Sequence, residues 1–414
     1  MIHVLSDGFQ AGILEKDSDR PEHIFNYYPE AEQERAVSLT MPVRLKSYVS
    51  PAGSLHPIFD MNLPEGFLKD WLSKAIVDCD DLKLLEATGP SQVGRLEYRN
   101  QSQLHQASIP EYSVREILAF DGAEDLFQDL LQMYASASGV SGVQPKVLVR
   151  DPGNTKISPD HKLAVQSTTH IVKTWDPKYP HLAYNEHFCL LAAQQAGLAT
   201  PYWEVSENGK FLVVERFDLT KEKRYLGFED FCVLAGLPSR KKYHGSYEQL
   251  AKVTRTFCYR ENLAENLAEL FKMIVLSVVL RNGDAHRKNF CLLYESPVHR
   301  RGMLAPTFDV VTTTAYLPRD SMALTMDGSK KWPGPGSLLQ FACDHCGLQQ
   351  KHAARIIEEV RQGVRTAQIK LEHGARELKD FSTVGNKMKR EWDQGLMSVV
   401  STKQVNSVLR SAGL

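Results

Sequence analysis

The chain has 414 residues, of which 43% are hydrophobic and 24% charged, and a formal net charge of −1. That length exceeds one small core and calls for two or three domains or lobes of ordinary soluble composition. The balanced charge excludes a global field that would draw the molecule to nucleic acid or membrane, so the clusters Arg240-Lys241-Lys242 and Arg300-Arg301 read as solvated surface.

The N-terminal MIHVLSDGFQ lacks the basic-then-apolar pattern of a secretory leader. In residues 1–100, MIHVL, GILEK, HIFNYY and RAVSLTMPV are predicted strands. In FDMNLPEGFLKDWLSKAI, the run Pro64-Glu65-Gly66 punctuates the chain, and Phe67, Trp71 and Ile76 then fall on a helical stripe. From about 138, SGVSGVQPKVLVR reads as a Gly-rich turn entering a strand, followed by the strand HIVKTW. YNEHFCLLAAQQAGL is a predicted helix with Phe188, Leu191 and Ala192 near one face and Gly197 as its stop. FLVVERFD is a further strand.

After about 220 the chain reads as mainly helical. Leu263, Leu267, Leu270, Ile274 and Val278 recur at helical spacing, and KHAARIIEEVRQGVRTAQIKLEH is amphipathic. No apolar run approaches the ~18 residues of a membrane span. The seven cysteines, an odd and scattered set, fit a reduced, cytoplasmic compartment. Cys343 and Cys346 form the close pair; a zinc site needs about four ligands, so they read as buried thiols. The expected fold class is α+β: a β-rich half, then a helical half, in the order of the two lobes of a protein-kinase-like fold.

Phosphoryl transfer needs a backbone cradle for phosphates, a cation, oxygen ligands for Mg²⁺ and a base. Ser141, Gly142, Val143 and Gln144 precede a strand, where glycine lets successive N–H groups face anionic oxygens; alone, the stretch reads equally as a β-turn. Lys173 lies among apolar neighbours on a strand whose alternation sends it to one face with Ile171. It is expected to face the core with a partner such as Glu186, or else to run its stem out to water. In NGDAHRKNF, Asp284 and Asn289 stand five apart, like the base and metal-binding Asn of a kinase catalytic loop. Asp309 follows in the strand-like LAPTFDVV. Asn289 and Asp309 are hard oxygen donors suited to Mg²⁺ with phosphate oxygens and water, and Asp284 is then the residue that receives or orients the acceptor hydroxyl proton. Any one Asp reads equally as a turn or cap residue; the set, in order, points to ATP-Mg²⁺ and a hydroxyl acceptor.

SGVQPKVLV, THIVKTWDPKYPHLAYNEHFCLLAAQQAGL, VVERFD, GLPSRKKY, NGDAHRKNF and LAPTFDVV resemble blocks of the HipA family in HipA order. That family comprises the serine/threonine kinase toxins of HipA–HipB toxin–antitoxin modules. MNLPEGFLKDWL resembles the N-terminal subdomain of full-length members. The resemblance implies a β-rich N-terminal subdomain (1–108), a kinase N-lobe (109–218) and a helical C-lobe (219–414). It implies an ATP site formed by Ser141, Gly142, Val143, Gln144, Pro145 and Lys146 over the phosphates and by Lys173. Glu215, Arg216 and Phe217 would form an adenine-binding hinge, with His286, Arg287, Lys288, Asn289, Phe308 and Asp309 near the nucleotide. From the residues alone, Arg287 reads as surface and His286 as ordering the loop.

The resemblance further implies phosphorylation of an aminoacyl-tRNA synthetase, with glutamyl-tRNA synthetase the leading candidate, and hence stalled translation, growth arrest and persistence. It implies a HipB-like helix-turn-helix antitoxin that carries the chain to operator DNA indirectly. Many members autophosphorylate a serine two residues before the position of Ser141; here that position is Gly139. Ser141 matches a second serine that some members modify, and Ser138 lies one residue from Gly139. A phosphate there adds about −1.5 to −2 charge where ATP phosphates bind. Two other readings share parts of this pattern: a small-molecule phosphotransferase of the aminoglycoside- or choline-kinase type, and a catalytically idle corepressor that binds an antitoxin. The N-terminal subdomain argues against the first and the filled catalytic positions against the second.

Overall fold

A computed structural model describes residues 1–51, 53–89, 92–100, 113–120, 146–149, 169–174, 178–222, 224–299 and 302–400. The Gly-rich stretch, with Ser138, Ser141, Gly142, Val143, Gln144 and Pro145, lies outside these residues. The chain folds as two compact units. The first comprises Met1–Lys178, Pro201–Lys242 and Cys291–Ala305; the second comprises Tyr179–Thr200, Tyr243–Phe290 and Pro306–Leu414. The three-part division at 108 and 218 remains an expectation.

The first unit begins with β1 (Ile2–Ser6), β2 (Phe9–Lys16), β3 (His23–Tyr27) and β4 (Tyr48–Ser50). Helices α1 (Pro57–Met61), α2 (Gly66–Ala75) and α3 (Asp81–Thr88) follow, and then β5 (Leu96–Arg99). These five strands form an antiparallel sheet in the order β4-β3-β2-β1-β5. After α4 (Val114–Ala119), the strands β6 (Lys146–Val149), β7 (His170–Thr174), β8 (Trp203–Val205) and β9 (Phe211–Glu215) form a second antiparallel sheet, ordered β6-β7-β9-β8. A third sheet joins β10 (Gly227–Asp230), β11 (Cys291–Tyr294) and β12 (Met303–Leu304). Val4, Phe25, Phe59, Leu85 and Tyr98 belong to the same buried cluster as Val147, Val172, Phe211 and Val213. One hydrophobic core therefore supports both larger sheets, and burying alternate residues of each strand is its main source of stability.

Three expectations are corrected here. RAVSLTMPV is not a strand: Gln33–Arg35 forms a 3₁₀ turn, and Ser38 and Met41 make an isolated bridge. Its apolar residues Val37, Leu39 and Met41 are buried, but its backbone is satisfied by side chains. The Leu39 N–H donates to Glu229 Oε1 at 2.7 Å, and the Val37 N–H to Tyr27 Oη at 2.9 Å. Burial of a loop mimicked the strand pattern. In α2 the described side chains that are buried are Leu68 and Leu72, outside the expected stripe, while Trp71 and, just past the helix end, Ile76 pack against the core; the Phe67 side chain lies outside the described ones. Third, the chain after 220 is less uniformly helical than expected, because β10, β11 and β12 interrupt it.

The second unit is helical: α5 (Leu182–Gln195), α6 (Tyr247–Phe257), α7 (Leu263–Val279), α8 (Pro335–Cys346), α9 (Gln350–Glu377) and α10 (Ser382–Ser398). Helix α5 stops where expected, with Gly197 at φ +75, a left-handed turn that favours glycine. In α7, Leu267, Leu270, Ile274 and Val278 are buried as the periodicity requires. Helix α10 crosses the end of α7 so closely that a Cβ on Gly395 would stand 1.9 Å from the Val279 carbonyl oxygen. The last turn of α7, which launches the polar loop 281–290, is thereby clamped. No helix among the described residues is long and apolar enough to cross a membrane. Cys346 is buried, as expected of a thiol in this segment, while Cys343 is partly exposed.

Candidate active site

Helix α7 is apolar to its end, then breaks at Arg281, whose φ is +56. Such a conformation costs a non-glycine residue on the order of 1 kcal/mol or more and persists only where its surroundings hold it. The Asn282 N–H bonds the Ser277 carbonyl at 2.9 Å, and Asn282 Oδ1 accepts from the Asp284 N–H at 3.0 Å. The Gly283 N–H donates to Thr313 Oγ1 at 2.8 Å, and the Thr313 hydroxyl donates to the Arg281 carbonyl at 3.2 Å. Thr312, one residue earlier, is bound on both sides of its backbone by Asn185 of α5: its N–H donates to Oδ1 at 2.8 Å and its carbonyl accepts from Nδ2 at 3.2 Å. Trp392 Nε1 of α10 donates to Thr312 Oγ1 at 2.7 Å. The loop is therefore braced through this segment by two helices.

Within it, Asn289 is the connector. Its Nδ2 donates to the Asp284 carbonyl at 2.9 Å and reaches the Asp309 carbonyl at 3.4 Å. The three residues singled out by spacing are thus brought to one place. Both amide hydrogens of Asn289 are turned to main chain, so its Oδ1 is the atom left to meet a cation, water or phosphate. Asp309 has φ +56, a strained conformation of the kind that gathers at functional sites. The expected strand around it is shorter than LAPTFDVV: β12 ends at Leu304, and Phe308 and Asp309 lie in a partly buried loop.

The Asp284 side chain is 42% exposed, as suits a group that must meet an acceptor, and His286 Nε2 stands 3.8 Å from its Oδ1. Tyr243 Oη donates to the same Oδ1 at 2.5 Å. Beneath the loop, the buried Tyr247 hydroxyl donates to the Ala285 carbonyl at 3.1 Å. Burial pushes the Tyr247 phenol above its ordinary range, and the Asp284 carboxylate pushes it further. Burial likewise pushes the Cys189 thiol, which contacts Thr312, up to about 12, so it serves as packing rather than as a nucleophile.

Arg287 does not lie at the surface as expected; it is 1% exposed. Its Nε donates to the His244 carbonyl at 2.7 Å, and a terminal nitrogen bonds Gln249 Oε1. It ties the loop to the segment before α6. Lys288 is also buried. Neither Tyr243 nor the brace of Asn185, Thr312, Thr313 and Trp392 was marked by spacing, because their partners are distant in sequence.

In the first unit, Lys173 is 5% exposed. The core-facing residue of β7 is Val172, whose side chain joins the hydrophobic cluster. Lys173 lies on the opposite face, so the expectation that it faces the core is corrected, although it is buried. The register pairs Lys146 directly with Lys173. Glu186 of α5, proposed as its partner, is buried in the second unit. At the expected hinge, the Glu215 N–H bonds the Tyr202 carbonyl at 2.8 Å and the Arg216 N–H the Thr169 carbonyl at 2.9 Å. The Arg216 guanidinium is buried in a two-pronged bond to Asp218, at 3.0 and 2.6 Å, and donates to the Gln92 carbonyl at 2.8 Å. Its side chain therefore holds the fold together, and its N–H is already used. The described residues contain no cluster of three or more His, Cys, Asp and Glu side chains that could hold a metal. An Asn–Asp pair completed by phosphate oxygens is a different kind of site, and Asn289 and Asp309 fit it.

Antiparallel sheets, one carrying the buried Lys173, and a helical unit in which Asn289 joins the main chain of Asp284 and Asp309 make a protein of kinase-like fold. The profile of the HipA N-terminal domain matches residues 2–99 and that of the HipA-like C-terminal domain residues 138–368. The chain belongs to the HipA family. It is 27% identical over 326 residues to a Sinorhizobium fredii protein named "Putative kinase Y4mE", covering 72% of this chain and 74% of the relative. A like-named Haemophilus influenzae protein is 28% identical over 200 residues, covering 43% of this chain and 53% of the relative. Among solved structures, HipA of Shewanella oneidensis MR-1, in complex with HipB and operator DNA, superposes with a TM-score of 0.72 at 20% identity, covering 96% of this chain and 97% of that one. The fold is that of HipA.

Proposed function

We propose that this chain is an ATP-dependent serine/threonine protein kinase acting as the toxin of a toxin–antitoxin pair. The observation that carries the reading is Asn289 joining the main chain of Asp284 and Asp309. Those two contacts hold the main chain of the three residues together, which supports a base and two hard oxygen donors serving one phosphate, as phosphoryl transfer requires. Asp284 accepts the proton of the acceptor hydroxyl. Asn289 and Asp309 would hold Mg²⁺, which would neutralise charge on the phosphate oxygens. Lys173, buried on the face of β7 away from the hydrophobic cluster, contacts the phosphates. The stretch 141–146 covers the phosphates, residues 215–217 receive the adenine, and Ser141 or Ser138 is a place for self-inactivating phosphorylation.

By family membership, the protein acceptor is an aminoacyl-tRNA synthetase, with glutamyl-tRNA synthetase first. Its modification halts translation in the cytoplasm and arrests growth. The crystallised complex of the Shewanella HipA supports a HipB-like antitoxin as partner, with operator DNA reached through it. Expression of the chain in a bacterium tests this reading. Growth is expected to stop, with new phosphoserine or phosphothreonine on a synthetase, while Asp284→Ala is expected to grow. Arrest by Asp284→Ala would refute the kinase-toxin account.

A further inference from the structure

One contact at the catalytic loop has no role in the transfer described so far. Tyr243 Oη donates to Asp284 Oδ1 at 2.5 Å, although Tyr243 is 41% exposed and the Asp284 side chain 42% exposed. Burial does not force this pair together, since both groups can reach water. The Tyr243 ring stands edge-on to His286, with centroids 4.9 Å apart and planes at 78°. Its main chain is anchored: the Tyr243 carbonyl accepts from Lys330 Nζ at 3.4 Å, and the adjoining His244 carbonyl accepts from Arg287. The backbone is thus fixed to the loop that the phenol reaches, and the ring alone must turn to break the contact. A general base must lie within hydrogen-bond reach of the hydroxyl whose proton it takes, and a hydroxyl of the chain itself already stands there.

We propose that Tyr243 is a positioning residue on the acceptor side of the site, whose hydroxyl holds the place at Asp284 Oδ1 that the hydroxyl of the protein acceptor takes over. This rests on Asp284 being the base in the reading above. In the absence of acceptor, the phenol aims the carboxylate and takes up Oδ1, so that a water using that oxygen must displace it. An acceptor must bring both a hydroxyl and enough binding energy from its surroundings to displace a charge-assisted hydrogen bond. Water and small alcohols bring only the hydroxyl, so Tyr243 favours a protein acceptor over them.

Tyr243→Phe keeps the ring against His286 and removes only the hydroxyl. With labelled ATP and Mg²⁺, two quantities are read: ATP hydrolysis without a protein acceptor, and transfer to glutamyl-tRNA synthetase as the probe. In the variant, hydrolysis is expected to rise about three- to tenfold and the KM for the synthetase to fall by a similar factor. A fall in kcat alone, or no change in either quantity, would overturn the proposal and leave Tyr243 a structural residue. Phosphate found on Tyr243 itself by peptide mass spectrometry would also overturn it, since the phenol would then be an acceptor. A wild-type protein that neither hydrolyses nor transfers refutes the kinase reading and this inference together. An active wild type with kinetics equal to those of Tyr243→Phe refutes this inference alone.

Discussion

Asn289 does two things with one amide: Nδ2 binds main chain at Asp284 and Asp309, and Oδ1 is left for a ligand. Asn289→Ala removes both. The Mg²⁺ concentration for half-maximal transfer is expected to rise about 10- to 100-fold, measured by titrating Mg²⁺ at fixed ATP; an unchanged requirement would remove Asn289 from the metal site. The separation of 284 and 289 is legible in the sequence because one short loop carries both residues, whereas Asp309 comes to them only after β11 and β12. Arg287 was not. Its burial depends on the His244 carbonyl and Gln249, respectively 43 and 38 residues upstream, and no local pattern reports such partners. Tyr243 lies in the block GLPSRKKY, but its partner Asp284 is 41 residues downstream, and local spacing does not report that contact either.

Elements with strong periodicity were read correctly, and those shaped by tertiary contacts were not. Helix α7 and strands β1, β2, β3, β7 and β9 follow their apolar spacing. The stretch 35–43 copies that spacing but belongs to a loop bonded to the Glu229 carboxylate and the Tyr27 hydroxyl. Helix α1 shows how one side chain makes an element sensitive to pH. His56 caps it, with Nδ1 accepting from the Ile58 N–H at 3.5 Å, and burial pushes the imidazole pKa down to about 4. The fold thus accommodates the neutral ring, whereas the unfolded chain takes up its proton near the ordinary value of about 6.5. The contribution of His56 to stability is fully present above that value and is lost as the pH falls toward 4. Urea unfolding should show stability dropping between pH 7 and pH 4.5. His56→Asn keeps a capping oxygen but does not titrate, and should shrink the drop by about 2 kcal/mol. An undiminished drop would place the acid sensitivity elsewhere.

At the scale of the molecule, the order of a β-rich half and a helical half was legible because strand and helix periods differ along the chain. The composition of the two units was not, since Cys291–Ala305 returns to the first unit after the loop 281–290 and α5 belongs to the second. Such exchanges follow from which surfaces pack, and spacing carries no record of them. Substrate choice lies at the same scale, in surface outside the motifs. The central claim is that the Asp284 loop transfers phosphate from ATP to a protein hydroxyl. The most direct test is incubation of the purified chain with γ-labelled ATP, Mg²⁺ and a bacterial lysate, with Asp284→Ala alongside. Labelled phosphoserine or phosphothreonine is expected on protein with the wild type, reduced at least 100-fold in the variant. Equal labelling by both proteins, or label appearing only on small molecules, would contradict it.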